Sequence, residues 1–238
     1  MENQIHLPDH PDAREEYAHL QETRDLIDRE LEDLENRTGA RMGPDGEIRF
    51  FREERVSEDE VEQMFFRIRL DRLRQMSLSV RQAYFARLDF IPRGGKQETY
   101  YLGRWGVLRP DTMDPVVVDW RSPVANLYYA GQPGAVDYEA PDGHVTGEMI
   151  LKRMLTVRDR ELQTIFDTDV ASQDKYLQDV LGSVTSDRLK EIVTTIQAEQ
   201  NIVIRHPLRK DLLVQGAAGS GKTTIALHRI AYLLYTFR

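Results

Sequence analysis

Eight consecutive residues hold the clearest chemistry in this sequence. Gly216-Ala217-Ala218-Gly219-Ser220-Gly221-Lys222-Thr223 matches G-x-x-x-x-G-K-[ST] at every fixed position. The glycines let the main chain wrap closely around phosphate oxygens. Successive N–H groups then point inward, and the positive end of the following helix adds to the attraction. Lys222 has the reach and charge to meet the β- and γ-phosphates of a nucleoside triphosphate. The Thr223 hydroxyl can ligate the Mg²⁺ that bridges them. The expected phosphate-binding set therefore runs from Gly216 through Thr223 to Thr224, with Lys222 and Thr223 in the catalytic roles and Thr223 on the metal. With glycine near 7% of residues, a chance match in a chain of this length is on the order of one in a hundred.

Such a loop works only between a strand and a helix. Asp211-Leu212-Leu213-Val214-Gln215 reads as a buried strand before it, and Lys222 to Phe237 as an amphipathic helix after it. Upstream, Tyr176, Leu177, Val180 and Leu181 share one helical face. Thr185 or Ser186 can cap a further helix carrying Leu189, Ile192, Val193 and Ile196. Val116-Val117-Val118-Asp119 imitates the apolar run and Asp that hold Mg²⁺ in such enzymes, but it comes about a hundred residues too early. Asp119 is expected to be structural, pairing with Arg121 or capping a turn. No carboxylate for the metal, water-activating Glu or arginine finger follows the loop, so this chain alone is expected not to turn over nucleotide.

The front of the chain supplies different elements. Tyr17, Leu20, Ile27, Leu31 and Leu34 recur at three-four spacing, with Arg24 in the sixth place. The spacing predicts a long helix over 11–38, stopped at Thr38-Gly39. Gly43-Pro44-Asp45-Gly46 is a turn signal. A second helix is predicted from Ser57, with Ser57 and Glu60 as a capping box. It continues through Val61, Met64, Phe65, Ile68, Leu73 and Met76, bends near Ser77–Ser79, and reaches Tyr84, Phe85 and Leu88 before Pro92 and Gly94-Gly95. Two long helices with a short connection fold back as an antiparallel hairpin. At about 1.5 Å per residue the first spans roughly 40 Å, long enough for a coiled-coil arm. Its far end would carry Asp45, Glu47, Glu53, Glu54, Glu58, Asp59 and Glu60, the first six of them as a partner-binding tip.

Residues 97–167 change character. Thr99–Leu102, Val116–Trp120 and Ala125–Tyr129 are short β-prone runs. Pro141-Asp142-Gly143 and Arg158-Asp159-Arg160 read as hairpin turns beside strands at about 145–157 and 161–166. The expected class is α+β in three parts: a helical hairpin arm over 1–96, an antiparallel β module over 97–168, and over 169–238 further helices with the start of a P-loop RecA-like α/β domain.

Charge is distributed unevenly. The net charge is -8, yet residues 1–60 hold nineteen Asp or Glu against eight Lys or Arg, a balance of -11, leaving +3 for the remainder. An acidic front does not suit a phosphate backbone, whose binding depends on Lys and Arg. There is no cysteine, which excludes disulfides and thiolate metal sites. No apolar run approaches the ~20 residues of a membrane span. The polar N-terminus lacks a signal-peptide pattern, so the expected compartment is the cytoplasm, without a membrane partner.

Gln197 to Tyr235 is similar to the start of UvrD-like superfamily 1 helicases. These are ATP-dependent motors in which a glutamine about twenty residues before the loop hydrogen-bonds adenine. Gln200 matches that glutamine best, and Gln197 is a second candidate. Thr223-Thr224-Ile225-Ala226-Leu227-His228-Arg229-Ile230-Ala231-Tyr232-Leu233-Leu234 also looks like theirs. Upstream, Val118-Asp119-Trp120-Arg121-Ser122-Pro123, Tyr128-Tyr129, Thr146-Gly147-Glu148, Leu151-Lys152-Arg153 and Phe166-Asp167-Thr168 resemble the HelD family, as does the charged helical front. The resemblance implies ATP and Mg as cofactors. It also implies a motor that binds RNA polymerase through an arm in the secondary channel and helps release it from nucleic acid. A second arm and most of the two motor lobes would lie outside this sequence. The alternative is a helicase of the UvrD type that acts on DNA directly.

Overall fold

The computed structural model describes residues 8–52, 59–168, 198–217 and 219–237. It contains helices and a sheet, an α+β arrangement. The chain divides into two compact units. One comprises Met1–Phe85, Tyr101–Val118 and Met154–Phe166, and the other Ala86–Tyr100, Asp119–Arg153 and Asp167–Arg238.

In the first unit, helix α1 (Ala13–Thr38) buries Leu20, Ile27 and Leu34. Seven-residue spacing returns each to the same face, since two turns of helix take about 7.2 residues. The intervening buried positions are Glu16 and Thr23, while Tyr17, Arg24 and Leu31 are half-buried. The stripe is thus centred one residue earlier than the apolar pattern indicates. Burial of these polar groups is offset by bonding: Thr23 Oγ1 donates to the His19 carbonyl at 2.8 Å, and Tyr101 Oη donates to the Glu16 carboxylate at 3.0 Å. Gly39 ends α1 in the left-handed conformation at φ 61°, its N–H on the Glu35 carbonyl.

Strands β1 (Ala40–Met42) and β2 (Ile48–Phe50) follow as a hairpin in the register Ala40↔Phe50, Arg41↔Arg49, Met42↔Ile48. The predicted turn at 43–46 joins them. Helix α2 (Glu60–Ser79) is capped by Asp59, whose Oδ1 accepts from Val61 N at 2.9 Å. The capping box predicted at Ser57 gives way to this cap, and Ser57 itself lies outside the described residues. Leu73 and Met76 pack with Leu20, Ile27 and Leu34 in one apolar cluster. Arg72 ties α2 to α1 through a two-pronged pair with Glu30, at 2.5 and 2.8 Å.

The predicted extension of this second helix to Leu88 is wrong. Helix α2 stops at Ser79, and Ala86–Pro92 is strand β3. Tyr84, Phe85 and Leu88 imitate helical spacing, but Arg87 and Asp89 reveal the period of two. Their side chains meet at 2.9 and 3.0 Å, a contact that neighbours two apart on a helix cannot make.

The strands after β3 are β4 (Glu98–Gly103), β5 (Val107–Leu108), β6 (Pro115–Asp119), β7 (Gly134–Ala140), β8 (Gly143–Arg158) and β9 (Glu161–Asp167). Within the first unit β5 lies beside β6, β6 beside the end of β4, and β9 beside the end of β8. The β8–β9 turn places Asp159 and Arg160 at positive φ, 48° and 73°, as a tight two-residue hairpin requires.

Within the second unit the order is β4, β3, β8, β7. β7 and β8 pair antiparallel from Gly134↔Met149 to Ala140↔Gly143, across the predicted turn. Gly147 permits the approach of β8 to β3: a Cβ there would lie 2.3 Å from the Ile91 carbonyl and 2.5 Å from the Phe90 ring. Ala125–Tyr129, expected as a β-prone run, is helical instead, as α3 (Asn126–Ala130). Leu127, Tyr128 and Tyr129 are all buried, so three successive faces of this one-turn helix are covered. Helices α4 (Ala198–Ile204) and α5 (Lys222–Thr236) also belong to this unit. The helices predicted around Tyr176 to Ile196 lie outside the described residues.

Candidate functional site

The phosphate-loop pattern sits at the head of α5, in the second unit. Gly219 and Gly221 both have φ 81°, a left-handed conformation that side chains disfavour. The α5 ladder begins at Ile225 N to Gly221 O, 2.9 Å. The N–H groups of Lys222, Thr223 and Thr224 precede that bond and face the end of the helix. Lys222 Nζ donates to the carbonyls of Gly216 at 2.8 Å and Ala217 at 2.7 Å. The amine therefore closes the loop on itself. Thr223 and Ser220 are exposed and Thr224 is half-buried. Ala218 lies outside the described residues. A glycine-bent loop, first-turn amides, one lysine and one threonine form a donor set that fits a nucleoside triphosphate with its Mg²⁺.

The predicted strand before the loop is not formed. Asp211 to Gln215 adopt neither helix nor strand, and Leu213 is 84% exposed. A strand of a parallel sheet is stabilised by neighbours on both sides, and no described strand pairs with this stretch.

Gln200 lies on α4, half-buried, ahead of Asn201 and Arg205. The two helices are joined by arginines. Arg229 of α5 directs one guanidinium nitrogen at the carbonyls of Val203, Ile204 and His206, at 3.0, 3.2 and 2.7 Å, capping the end of α4. Arg205 donates to Asn201 Oδ1 at 3.0 Å and to the main-chain carbonyls of Ser122 and Trp120, at 3.1 and 2.9 Å. Its guanidinium lies 5.0 Å from the centre of the Tyr232 ring on α5. Burial pushes the Arg205 pKa below the usual arginine value.

Asp119 is structural, as expected. Both its oxygens meet the Arg121 guanidinium, at 2.8 and 2.6 Å, and Oδ1 also accepts from Arg121 N at 2.9 Å. Its carbonyl accepts from Ser122 N, closing the turn. So fixed, Trp120 meets the His228 ring edge-on at 5.6 Å and Arg121 covers Tyr235 at 4.7 Å. Positions 228, 232 and 235 share one face of α5. Arg205 has no sequence signal, and Arg229 appears only within the helicase-like run from Thr223 to Leu234, because main-chain carbonyls as partners leave no pattern to read.

Two other motifs are also joined here. Arg153 pairs with Asp167 at 2.5 and 2.8 Å, and Thr168 N donates to the Lys152 carbonyl at 2.8 Å. The Lys152 amine is buried, donates to the Gly131 carbonyl at 3.0 Å and lies over the Tyr128 ring. Burial lowers its pKa from 10.5 to about 8.

The described acidic residues expected at an arm tip fare differently within the first unit. Asp45 is engaged by Arg49 and by the N–H of Glu47, and the Arg49 bond holds its carboxyl below the usual range. Asp59 is the α2 cap. Glu47 and Glu60 are exposed. Glu53, Glu54 and Glu58 lie outside the described residues. Among the described residues no group of three His, Cys, Asp or Glu could hold a metal ion, and no helix is long and apolar enough to cross a membrane.

The lysine-closed loop at the head of α5 carries the phosphate-loop pattern without a strand before it. Residues 196–237 match the UvrD/REP helicase N-terminal domain. Residues 13–180 match the N-terminal domain of the DNA helicase IV HelD, and the chain belongs to that family. Among curated proteins none matches this sequence.

Proposed function

We propose that this chain is the nucleotide-binding and polymerase-binding front of a HelD-type motor. In this reading residues 1–96 form the arm, its helical part ending at Ser79. Residues 97–168 form the β module and 169–238 begin the RecA-like lobe. The arm engages the secondary channel of RNA polymerase, and the motor promotes release of the polymerase from nucleic acid.

The observation that carries the reading is the succession of the two family matches along one chain, with the phosphate-loop pattern at the head of α5 inside the second. ATP with its Mg²⁺ would supply the transferable phosphoryl group and the charge neutralisation. The loop's own residues bind and orient. The first-turn amides of α5 hold phosphate oxygens, Lys222 exchanges the Gly216 and Ala217 carbonyls for them, and the Thr223 hydroxyl meets the metal. Gln200 reads the adenine.

Calorimetric titration of the chain with Mg-ATP is expected to show one saturable site that weakens at least about tenfold in Lys222→Ala, the loss of a charge-assisted contact. Immobilised chain is expected to capture RNA polymerase. Equal ATP affinity in the two proteins, or no capture at low salt, overturns the corresponding half.

A second reading, direct action on DNA, is favoured by the description of the matched family as a DNA helicase. Retention of single-stranded DNA by the chain without polymerase would select it. The balance of -11 over residues 1–60 weighs against it.

A further inference from the structure

The nucleotide site proposed above is split between two helices. Gln200 is on α4, and Lys222 and Thr223 are on the first turn of α5. Reading a base and holding its phosphates at once requires a fixed distance between them. Three observations show what fixes it. Arg229 reaches from α5 to three carbonyls at the end of α4. Arg205, one residue past α4, spends its fork on Asn201 and on the carbonyls of Trp120 and Ser122. The turn bearing those carbonyls is locked by Asp119 and Arg121 and contacts α5 at His228 and Tyr235.

We propose that Arg205 is a positioning residue for nucleotide selectivity: with the 119–122 turn it sets α4, and so Gln200, against the phosphate-binding end of α5. The inference rests on the ATP-binding reading. The bonding explains why an arginine is required. Three acceptors lie in three directions around one planar group, which also stacks on Tyr232. A lysine at this position keeps the charge but offers a single nitrogen, with neither the fork nor the flat face. Asn201 is the second member. It accepts from Arg205 with Oδ1, while its Nδ2 donates to Asn126 Oδ1 at 2.7 Å, pinning α4 to α3.

The phosphate contacts do not pass through this assembly. Lys222 is held by its own loop, and the α5 amides belong to α5. Disturbing Arg205 should therefore loosen the base end and spare the phosphate end. A residue that merely stabilises the fold would weaken all nucleotides alike.

The test is titration of the whole chain with Mg-ATP and Mg-GTP, for wild type, Arg205→Lys, Asn201→Ala and Asn201→Asp, each checked for a cooperative melt. Wild type is expected to prefer ATP. Arg205→Lys is expected to lower ATP affinity about tenfold, the worth of one or two hydrogen bonds, and to change GTP affinity less than about twofold. Asn201→Ala should shift the ratio the same way by a smaller factor. Asn201→Asp keeps an acceptor for Arg205, and a turned Asn126 amide can donate to it, so it should retain the preference.

A wild-type ATP preference unchanged in Arg205→Lys overturns this proposal and leaves the ATP reading standing. Equal weakening of both nucleotides does the same and marks Arg205 as structural. If Arg205→Lys does not fold, the contrast between Asn201→Ala and Asn201→Asp decides by the same criterion. A wild-type chain that binds neither nucleotide overturns the underlying reading, and this proposal with it.

Discussion

Lys152 lies in the run Leu151-Lys152-Arg153 that resembles the HelD family, and its contacts are internal. Its amine is buried against the Gly131 carbonyl and the Tyr128 ring, and its pKa falls from 10.5 to about 8. Below pH 8 the amine is charged in both the folded and the unfolded chain, and the folded chain bears the full desolvation cost. Between 8 and 10.5 the unfolded chain holds the proton more tightly, so stability rises with pH. Above 10.5 both are neutral and the cost is gone. The fall from 10.5 to about 8 corresponds to roughly 3 kcal/mol. Lys152→Met removes that cost and forfeits one hydrogen bond worth about 1 kcal/mol. It should therefore stabilise the chain by on the order of 1–3 kcal/mol at pH 7, with the gain shrinking toward pH 10. Urea melts of both proteins at pH 7, 8.5 and 10 measure this; a gap independent of pH contradicts it. The sequence shows such residues only as letters in a motif. The phosphate-loop pattern is legible because it is written in eight adjacent positions. Asp119 was legible as structural because its place in the chain was wrong for a metal ligand. Arg205 was not, since its partners are carbonyls 83 and 85 positions away in sequence.

At the scale of elements, α1 tests how far periodicity can be trusted. Leu20, Ile27 and Leu34 are buried as the heptad spacing requires, yet the alternate positions belong to Glu16 and Thr23 rather than Tyr17, Arg24 and Leu31. Periodicity reads apolar residues only, and it cannot anticipate that a carboxylate and a hydroxyl will be buried because Tyr101 and the His19 carbonyl satisfy them. The difference is measurable. Ile27→Ala removes a side chain that is 1% exposed and should cost about 2–5 kcal/mol by denaturant unfolding. Leu31→Ala, at a half-buried site, should cost less than about half as much. Equal costs would mean that the stripe is centred where the sequence alone puts it. The misread strand β3 has the complementary cause. Tyr84, Phe85 and Leu88 satisfied a helical template, while the period-two pair Arg87 and Asp89 was hidden by counting only apolar residues. The undelivered strand at 211–215 is a third case: apolar content marks a segment fit for burial, and hydrogen-bonded neighbours decide whether it becomes a strand.

For the whole molecule, the balance of -11 over residues 1–60 overstates the free negative charge. Within the first unit Glu22 meets Arg109, Asp28 meets Arg160 and Glu30 meets Arg72. Part of the acidic face of α1 is thus neutralised at home, and such pairs contribute little to a field felt at a distance. Asp45 and Asp59 are likewise occupied, by Arg49 and by the α2 cap. This sharpens how the proposed arm must be tested. Reversing Asp59 would remove a helix cap worth about 1 kcal/mol and would confuse instability with lost attraction. Glu47, Glu53, Glu54 and Glu58 avoid that, since the cap is Asp59. If the tip is drawn electrostatically to basic groups of the polymerase, changing these four to Lys should lower the association rate about tenfold or more at low salt, with a smaller effect on dissociation. The wild-type rate should fall steeply as ionic strength rises, and the variant's rate should fall less. Surface-plasmon association rates at several salt concentrations read both. Equal rates and equal salt slopes would remove the acidic tip from the mechanism. The apolar residues exposed on α2, Val61, Met64, Phe65 and Ile68, would then be the contact left to examine. Their contribution would appear in dissociation and would be insensitive to salt.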